Sequence, residues 1–84
     1  MKTKTFTKKQ INDLSKTEIE RLIFVTNDGQ GDTYVDPVSD LIEDLDLQDL
    51  SNLEVIDILW EDTNVMMSRM LWIENNECFE VNIK

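Results

Sequence analysis

Leu53-Glu54-Val55-Ile56-Asp57-Ile58-Leu59-Trp60-Glu61 is the stretch on which the fold turns. Its near-continuous apolar series, rich in β-branched residues, reads as a strand, and as the central or better-covered strand of a sheet. Two further β-rich runs follow, residues 65–74 and 78–83. The polar triplets Asp62-Thr63-Asn64 and Asn75-Asn76-Glu77 separate the three runs, and their Asn and Asp tolerate tight-turn backbone angles. In the last run Phe79, Val81 and Ile83 alternate with Cys78, Glu80 and Asn82, so one face is buried and the other wet. This predicts a three-stranded antiparallel β-meander.

Upstream the signals are helical. Thr7 with Gln10, and Ser15 with Glu18, have the spacing of capping boxes, in which a hydroxyl accepts from the backbone three residues on. They predict two short helices, residues 8–14 and 16–24, or a single bent one, with Ile11, Leu14, Ile19, Leu22 and Ile23 on the apolar face. Asn27-Asp28-Gly29-Gln30-Gly31-Asp32 holds both glycines and reads as a turn, followed by a short extended piece at 33–35. A central helix then starts with Asp36 as N-cap and Pro37 at the first helical position. Val38, Leu41, Ile42 and Leu45 form its stripe. The predicted fold is α+β, one domain over residues 1–84, with the two N-terminal helices and the central acidic helix on one face of the meander.

Charge is the second anomaly. Residues 22–68 contain no Lys, Arg or His, yet hold twelve carboxylates in a chain of net charge −10. They are Asp28, Asp32, Asp36, Asp40, Glu43, Asp44, Asp46, Asp49, Glu54, Asp57, Glu61 and Asp62. Self-repulsion on this scale opposes compaction, and a domain of this size has only about 5 to 10 kcal/mol of net stability. A basic partner would offset that cost.

Several function classes are disfavoured. Phosphate-backbone affinity comes from Lys and Arg, and these concentrate in the N-terminal arm, where Lys2, Lys4, Lys8, Lys9 and Lys16 read as a solvated tail and first helical turn. No apolar run approaches the roughly 20 residues of a membrane span, and an acidic surface is repelled by anionic lipid. One cysteine allows no internal disulfide, and the absence of a charged-then-apolar leader points to the cytoplasm, the host cell's if the chain is phage-encoded. The 40% hydrophobic content indicates a folded domain rather than an acidic tail.

Nor do the residues suggest catalysis. The chain has no histidine, and Cys78 has no imidazole to activate it. Gly29-Gln30-Gly31 lacks the Lys and Ser/Thr of a phosphate loop. Asp28-x-Gln30-x-Asp32 starts like a calcium loop, but its sixth and twelfth positions are Thr33 and Ser39 instead of Gly and Glu. No enzyme activity, cofactor or metal is expected.

Two surfaces remain as candidates for binding. Trp60 and Trp72 with Met66, Met67 and Met70 read mainly as core. Alternatively they form an apolar interaction patch, with strand 64–74 as a homodimer seam and the acids serving solubility. The other candidate is the acidic face. Asp36, Asp40 and Asp44 at i, i+4 and i+8 are spaced by about 6 Å along a helix axis, comparable to phosphates along a nucleic-acid strand. Asp36, Asp40, Glu43, Asp44, Asp46 and Asp49, joined by Asp57, Glu61 and Asp62, are therefore the predicted partner-binding residues.

In size, acidity and α+β reading the chain resembles the small phage-encoded inhibitors of host defence nucleases, the anti-CRISPR and anti-restriction proteins that imitate nucleic acid. It is also similar in character to the immunity proteins that neutralise nuclease toxins. The resemblance is one of composition over the whole chain, without a shared motif, and it assigns no residue roles. It implies a non-enzymatic inhibitor whose partner is a basic nucleic-acid-binding protein such as a CRISPR effector or nuclease. The alternative is a small interaction or regulatory module that binds through the Trp/Met surface.

Overall fold

The structure is a computed structural model that describes residues 2–27, 29–62 and 67–84. In chain order it comprises β1 (Lys2–Phe6), α1 (Lys8–Asn12), α2 (Lys16–Ile19), β2 (Leu22–Asn27), β3 (Thr33–Pro37), α3 (Val38–Asp44), α4 (Asn52–Asp62), β4 (Met67–Glu74) and β5 (Glu77–Ile83). The class is α+β, but the sheet is five-stranded and mixed, in the order β1-β5-β4-β2-β3. β1 runs parallel to β5 and the other three pairings are antiparallel. The expected three-stranded meander is overturned.

The largest correction falls on residues 53–61, which form helix α4. Val55, Ile56 and Leu59 are buried while Glu54, Asp57 and Glu61 are exposed, which is a 3.6-residue period and not a two-residue one. Ser51 starts the helix. Its Oγ accepts from the Glu54 N–H (3.3 Å) and its carbonyl from the Val55 N–H (3.0 Å). Three β-branched residues cost a helix only a few tenths of a kcal/mol each, far less than the roughly 1.5 to 3 kcal/mol gained per large apolar side chain buried.

The N-terminal capping boxes form at Thr7/Gln10 and Ser15/Glu18, but both helices are shorter than predicted. α2 stops at Ile19, and Leu22-Ile23-Phe24, expected to finish a helix over 16–24, instead opens β2, with Val25 following. The β2 backbone pairs with β3 on one edge and β4 on the other, which makes it an inner strand rather than the end of a helix. The Lys2–Phe6 segment, expected as a solvated tail, is edge strand β1. Its Lys2, Lys4 and Phe6 alternate with Thr3 and Thr5, and it pairs from Lys2 opposite Phe79 to Phe6 opposite Ile83.

The central helix also shifts. Asp36 is the fourth residue of β3, opposite Phe24, and Pro37 occupies the N-cap without a side-chain hydrogen bond. Val38 is fully buried and Leu41 and Ile42 pack against the core, but Leu45 is exposed because α3 has already ended. Asp46 adopts φ 58°, and the Leu47 N–H returns to the Ile42 carbonyl at 2.9 Å to close the helix. Two of the three predicted turns are present: Gly29 and Gly31 have positive φ, and Asn75 and Asn76, at φ 49° and 64°, join β4 to β5; of the third, Asp62 ends α4 and Thr63-Asn64 lie outside the described residues.

The core gathers on one face of the sheet. Leu22 and Phe24 of β2, Met70 and Trp72 of β4, Val81 of β5 and Phe6 of β1 meet Ile11 of α1, Ile19 of α2, Val38 of α3 and Val55, Ile56 and Leu59 of α4. All four helices thus bury their apolar side against that face. The opposite face carries Ile23, Val25, Val35, Leu71 and Ile73, none of which belongs to this cluster.

Candidate interaction surface

The predicted acidic residues occupy three places. Asp36 is exposed on edge strand β3; Asp40, Glu43 and Asp44 are exposed on α3, with Asp46 and Asp49 in the loop beyond; Asp57 and Glu61 are exposed on α4, where Glu54 completes a stripe at i, i+3 and i+7. Asp62 ends α4, but its side chain lies outside the described residues, as does Asp28. Since Asp36 is in a strand, the expected helical ladder shortens to Asp40 and Asp44, one turn apart.

Among the described residues none of Asp36, Asp40, Glu43, Asp44, Asp46, Asp49, Asp57 and Glu61 makes an ion pair. The lysines that do pair are committed to acids outside the cation-free stretch. Lys2 holds Glu77 at 2.8 Å, Lys4 holds Glu74 at 3.0 Å, and Lys9 holds Asp13 at 2.8 Å. The N-terminal arm therefore binds the β4–β5 end of the sheet. Lys4 Nζ also lies 5.0 Å from the centre of the Trp72 ring, whose Nε1–H donates to the same Glu74 oxygen at 2.7 Å. The Trp72 hydrogen bond, then Lys4, holds the Glu74 carboxyl below its ordinary range. Sequence reasoning missed this cluster, although the Lys-Thr-Lys-Thr-Phe alternation that builds it is visible.

Two hollows adjoin the acidic elements. One, of about 420 Å³, lies between α2, α3 and the start of α4, with Ile19, Ile42, Leu47 and Val55 as its apolar lining and Lys16, Glu20 and Glu43 among its polar residues. The other, of about 330 Å³, opens beside α4 and is lined by Lys8, Asp57, Trp60, Met70, Val81 and Ile83 among others. The second hollow bears on the expected Trp/Met patch. Trp72 and Met70 are core, at 4% and 1% exposure, while Trp60 is 42% exposed with its ring edge-on to Phe24 at 5.2 Å. Met66 and the Met67 side chain, and with them the start of the proposed 64–74 seam, lie outside the described residues.

Among the described residues no group of three His, Cys, Asp or Glu is arranged to hold a metal ion, and no helix is long and apolar enough to cross a membrane. Cys78 is half-buried on β5. No family model matches the chain, and neither do any curated protein or solved structure.

Proposed function

We propose that the protein is a non-enzymatic inhibitor that docks through the carboxylates of α3, its following loop and α4 onto a basic nucleic-acid-binding protein, in the manner of a nucleic-acid mimic acting in the cytoplasm. The observation that carries the reading is the partition of charge. The lysines that form ion pairs neutralise acids elsewhere, and eight exposed carboxylates on these elements and β3 have no cation of their own. Water solvates them until a Lys- and Arg-lined groove replaces it. Such charges raise the association rate and set register more than they hold the complex. Trp60, beside Asp57 at the second hollow, supplies the apolar anchor that charges alone lack.

The test is a salt titration of binding to a CRISPR effector or nuclease with a basic groove. Affinity and association rate should fall steeply between about 50 and 200 mM salt if exposed carboxylates steer the complex. The triple variant Asp40→Lys, Glu43→Lys, Asp44→Lys should lose inhibition while keeping its far-UV spectrum. Flat salt dependence, or a folded triple variant that still inhibits, refutes the acidic face.

A further inference from the structure

We propose that the sheet face opposite the helices is the seam of a homodimer, in which two sheets pack back to back. This does not depend on the function of the acidic elements.

The starting point is a mismatch between sequence and cover. An antiparallel sheet with one wet face alternates apolar and polar residues along each strand. β2 and β4 do not: Leu22-Ile23-Phe24-Val25 and Met70-Leu71-Trp72-Ile73 are apolar at four consecutive positions. Their even-numbered members reach the helical core. Their odd-numbered members, with Val35 of β3, reach the other face, where Val25 is already buried at 6%, Ile23 and Leu71 are half-buried, and Val35 and Ile73 stand 59% and 38% exposed. The register sets these side chains beside one another, Val35 across from Val25 and Pro37 and Leu71 on either side of Ile23. The two inner strands thus read as buried on both sides; the helices cover one, and on the other Val35 and Ile73 keep the apolar patch exposed at its rim.

Charge and area select a second copy as the cover. In a chain of net charge −10, the described strand residues of this face carry one cation, Arg69, and one carboxylate, Glu80, neither of them in an ion pair. A basic partner finds no negative field there. Arg69 and Glu80 lie on a diagonal across β4 and β5, since Glu80 is opposite Leu71; a two-fold axis oblique to the strands, through the midpoint of that diagonal, would set each Arg69 against the partner's Glu80, a self-complementary match of the kind an isologous interface requires. The unpaired acids of α3 and α4 lie beyond the sheet, so two copies packed about 10 Å apart keep those acids separated by more than a Debye length of about 8 Å. Five strands about 4.8 Å apart and six or seven residues long offer roughly 500 Å² of plane per protomer. Side-chain relief brings the pair toward the lower end of the 1,200 to 2,000 Å² that stable interfaces bury.

Sedimentation equilibrium of the full chain, from micromolar to near-millimolar concentration, should give twice the 9.9 kDa chain mass. Val35→Lys and Ile73→Lys should each weaken the dimer roughly 100-fold or more, since symmetry places an unpaired ammonium on both sides of the seam. Far-UV spectrum and unfolding midpoint serve as controls. If Ile73→Lys unfolds, Val35→Lys, at the more exposed position, decides alone. A single-chain mass at all concentrations, which includes the case of a different protein covering this face, overturns the proposal. So does a dimer that survives Val35→Lys.

Discussion

Replacing Asn52 with Ala should loosen the joint between the first and last helices. Asn52 Nδ2–H donates to the carbonyls of Ile11 at 2.9 Å and Leu14 at 3.0 Å, with a longer approach to Asn12 at 3.4 Å. In return Asn12 Oδ1 accepts from the Leu53 N–H at 2.9 Å. The Ile11 carbonyl also takes the Leu14 N–H at 3.3 Å, so Asn52 is a further donor to it, while the Leu14 carbonyl lies in the turn after α1; Asn12 serves the Leu53 N–H, which the start of α4 leaves without an intrahelical partner. Two well-formed bonds contribute about 1 kcal/mol each, and the part-buried Leu14 carbonyl left behind adds a desolvation penalty, while Ile11 keeps the Leu14 N–H, so Asn52→Ala should cost about 2 to 3 kcal/mol. Against a total of about 5 to 10 kcal/mol, that lowers the melting temperature by about 8 to 24 °C. Urea unfolding followed by Trp fluorescence measures it, with an unchanged m-value as the sign that only stability moved. Asn12→Ala should cost about 1 kcal/mol, and the double variant should show a coupling of at least about 0.5 kcal/mol because both residues hold the same joint. A loss below about 0.5 kcal/mol for Asn52→Ala would mean that water serves these carbonyls equally well, and the clasp would not be what fixes α4 on α1.

Stability should also fall with acid. Glu74, through Trp72 and then Lys4, and Glu18, through the Ser15 backbone N–H and then its hydroxyl, are both held below the ordinary glutamate value of 4.5. Folded pKa values below the unfolded ones mean that the unfolded chain binds more protons in this range, so both contributions are complete above pH 4.5 and are lost as pH drops through the folded values. Urea midpoints across pH 3 to 6 should show the decline, and Glu74→Gln should flatten part of it; an identical slope in that variant would show that the Trp72–Glu74–Lys4 cluster plays no part. At the β4–β5 turn, Asn76→Gly should be neutral or stabilising and Asn76→Val should cost roughly 1 kcal/mol or more, because φ 64° suits Gly and strains a β-branched side chain. Equal unfolding midpoints for the two variants would exclude this turn geometry.

The parts of the fold that were legible are those whose signal is local. Thr7, Gln10, Ser15 and Glu18 specify their caps within four residues, and Asn75-Asn76 specifies a turn within two. What failed was choosing between helix and strand for apolar runs, where the deciding contacts are distant. Leu22 to Val25 continues the preceding helical pattern, and only pairing with β3 and β4 makes it a strand. Lys2 to Phe6 is polar enough to pass for a tail, and only β5, more than 70 residues away in sequence, supplies its partner. Residues 53–61 did contain a usable signal. Ser51 and Glu54 have the same spacing as the two N-terminal capping boxes, and Glu54, Asp57 and Glu61 recur with helical period. β-branched content outweighed them, although it expresses a weak preference that tertiary packing readily overrides.

That reassignment alters the acidic surface as well as the fold. On a strand, Glu54 would face one side and Asp57 and Glu61 the other, and part of that charge would meet the core. On α4 they share one exposed stripe while Val55, Ile56 and Leu59 close the core behind them. The same sorting occurs on α3, where Val38 turns inward and Asp40, Glu43 and Asp44 outward. Asp36 moves the other way, from a helical ladder to a sheet edge, because Pro37 completes β3 before the helix begins. Helical period thus lets a short chain carry dense carboxylate and a packed core in the same segments. The sheet, whose period is two, sends residues to both faces, and on this protein the second face is apolar. The acids are concentrated on the helical layer and its loops, which leaves the far side of the sheet nearly neutral and open to another apolar surface.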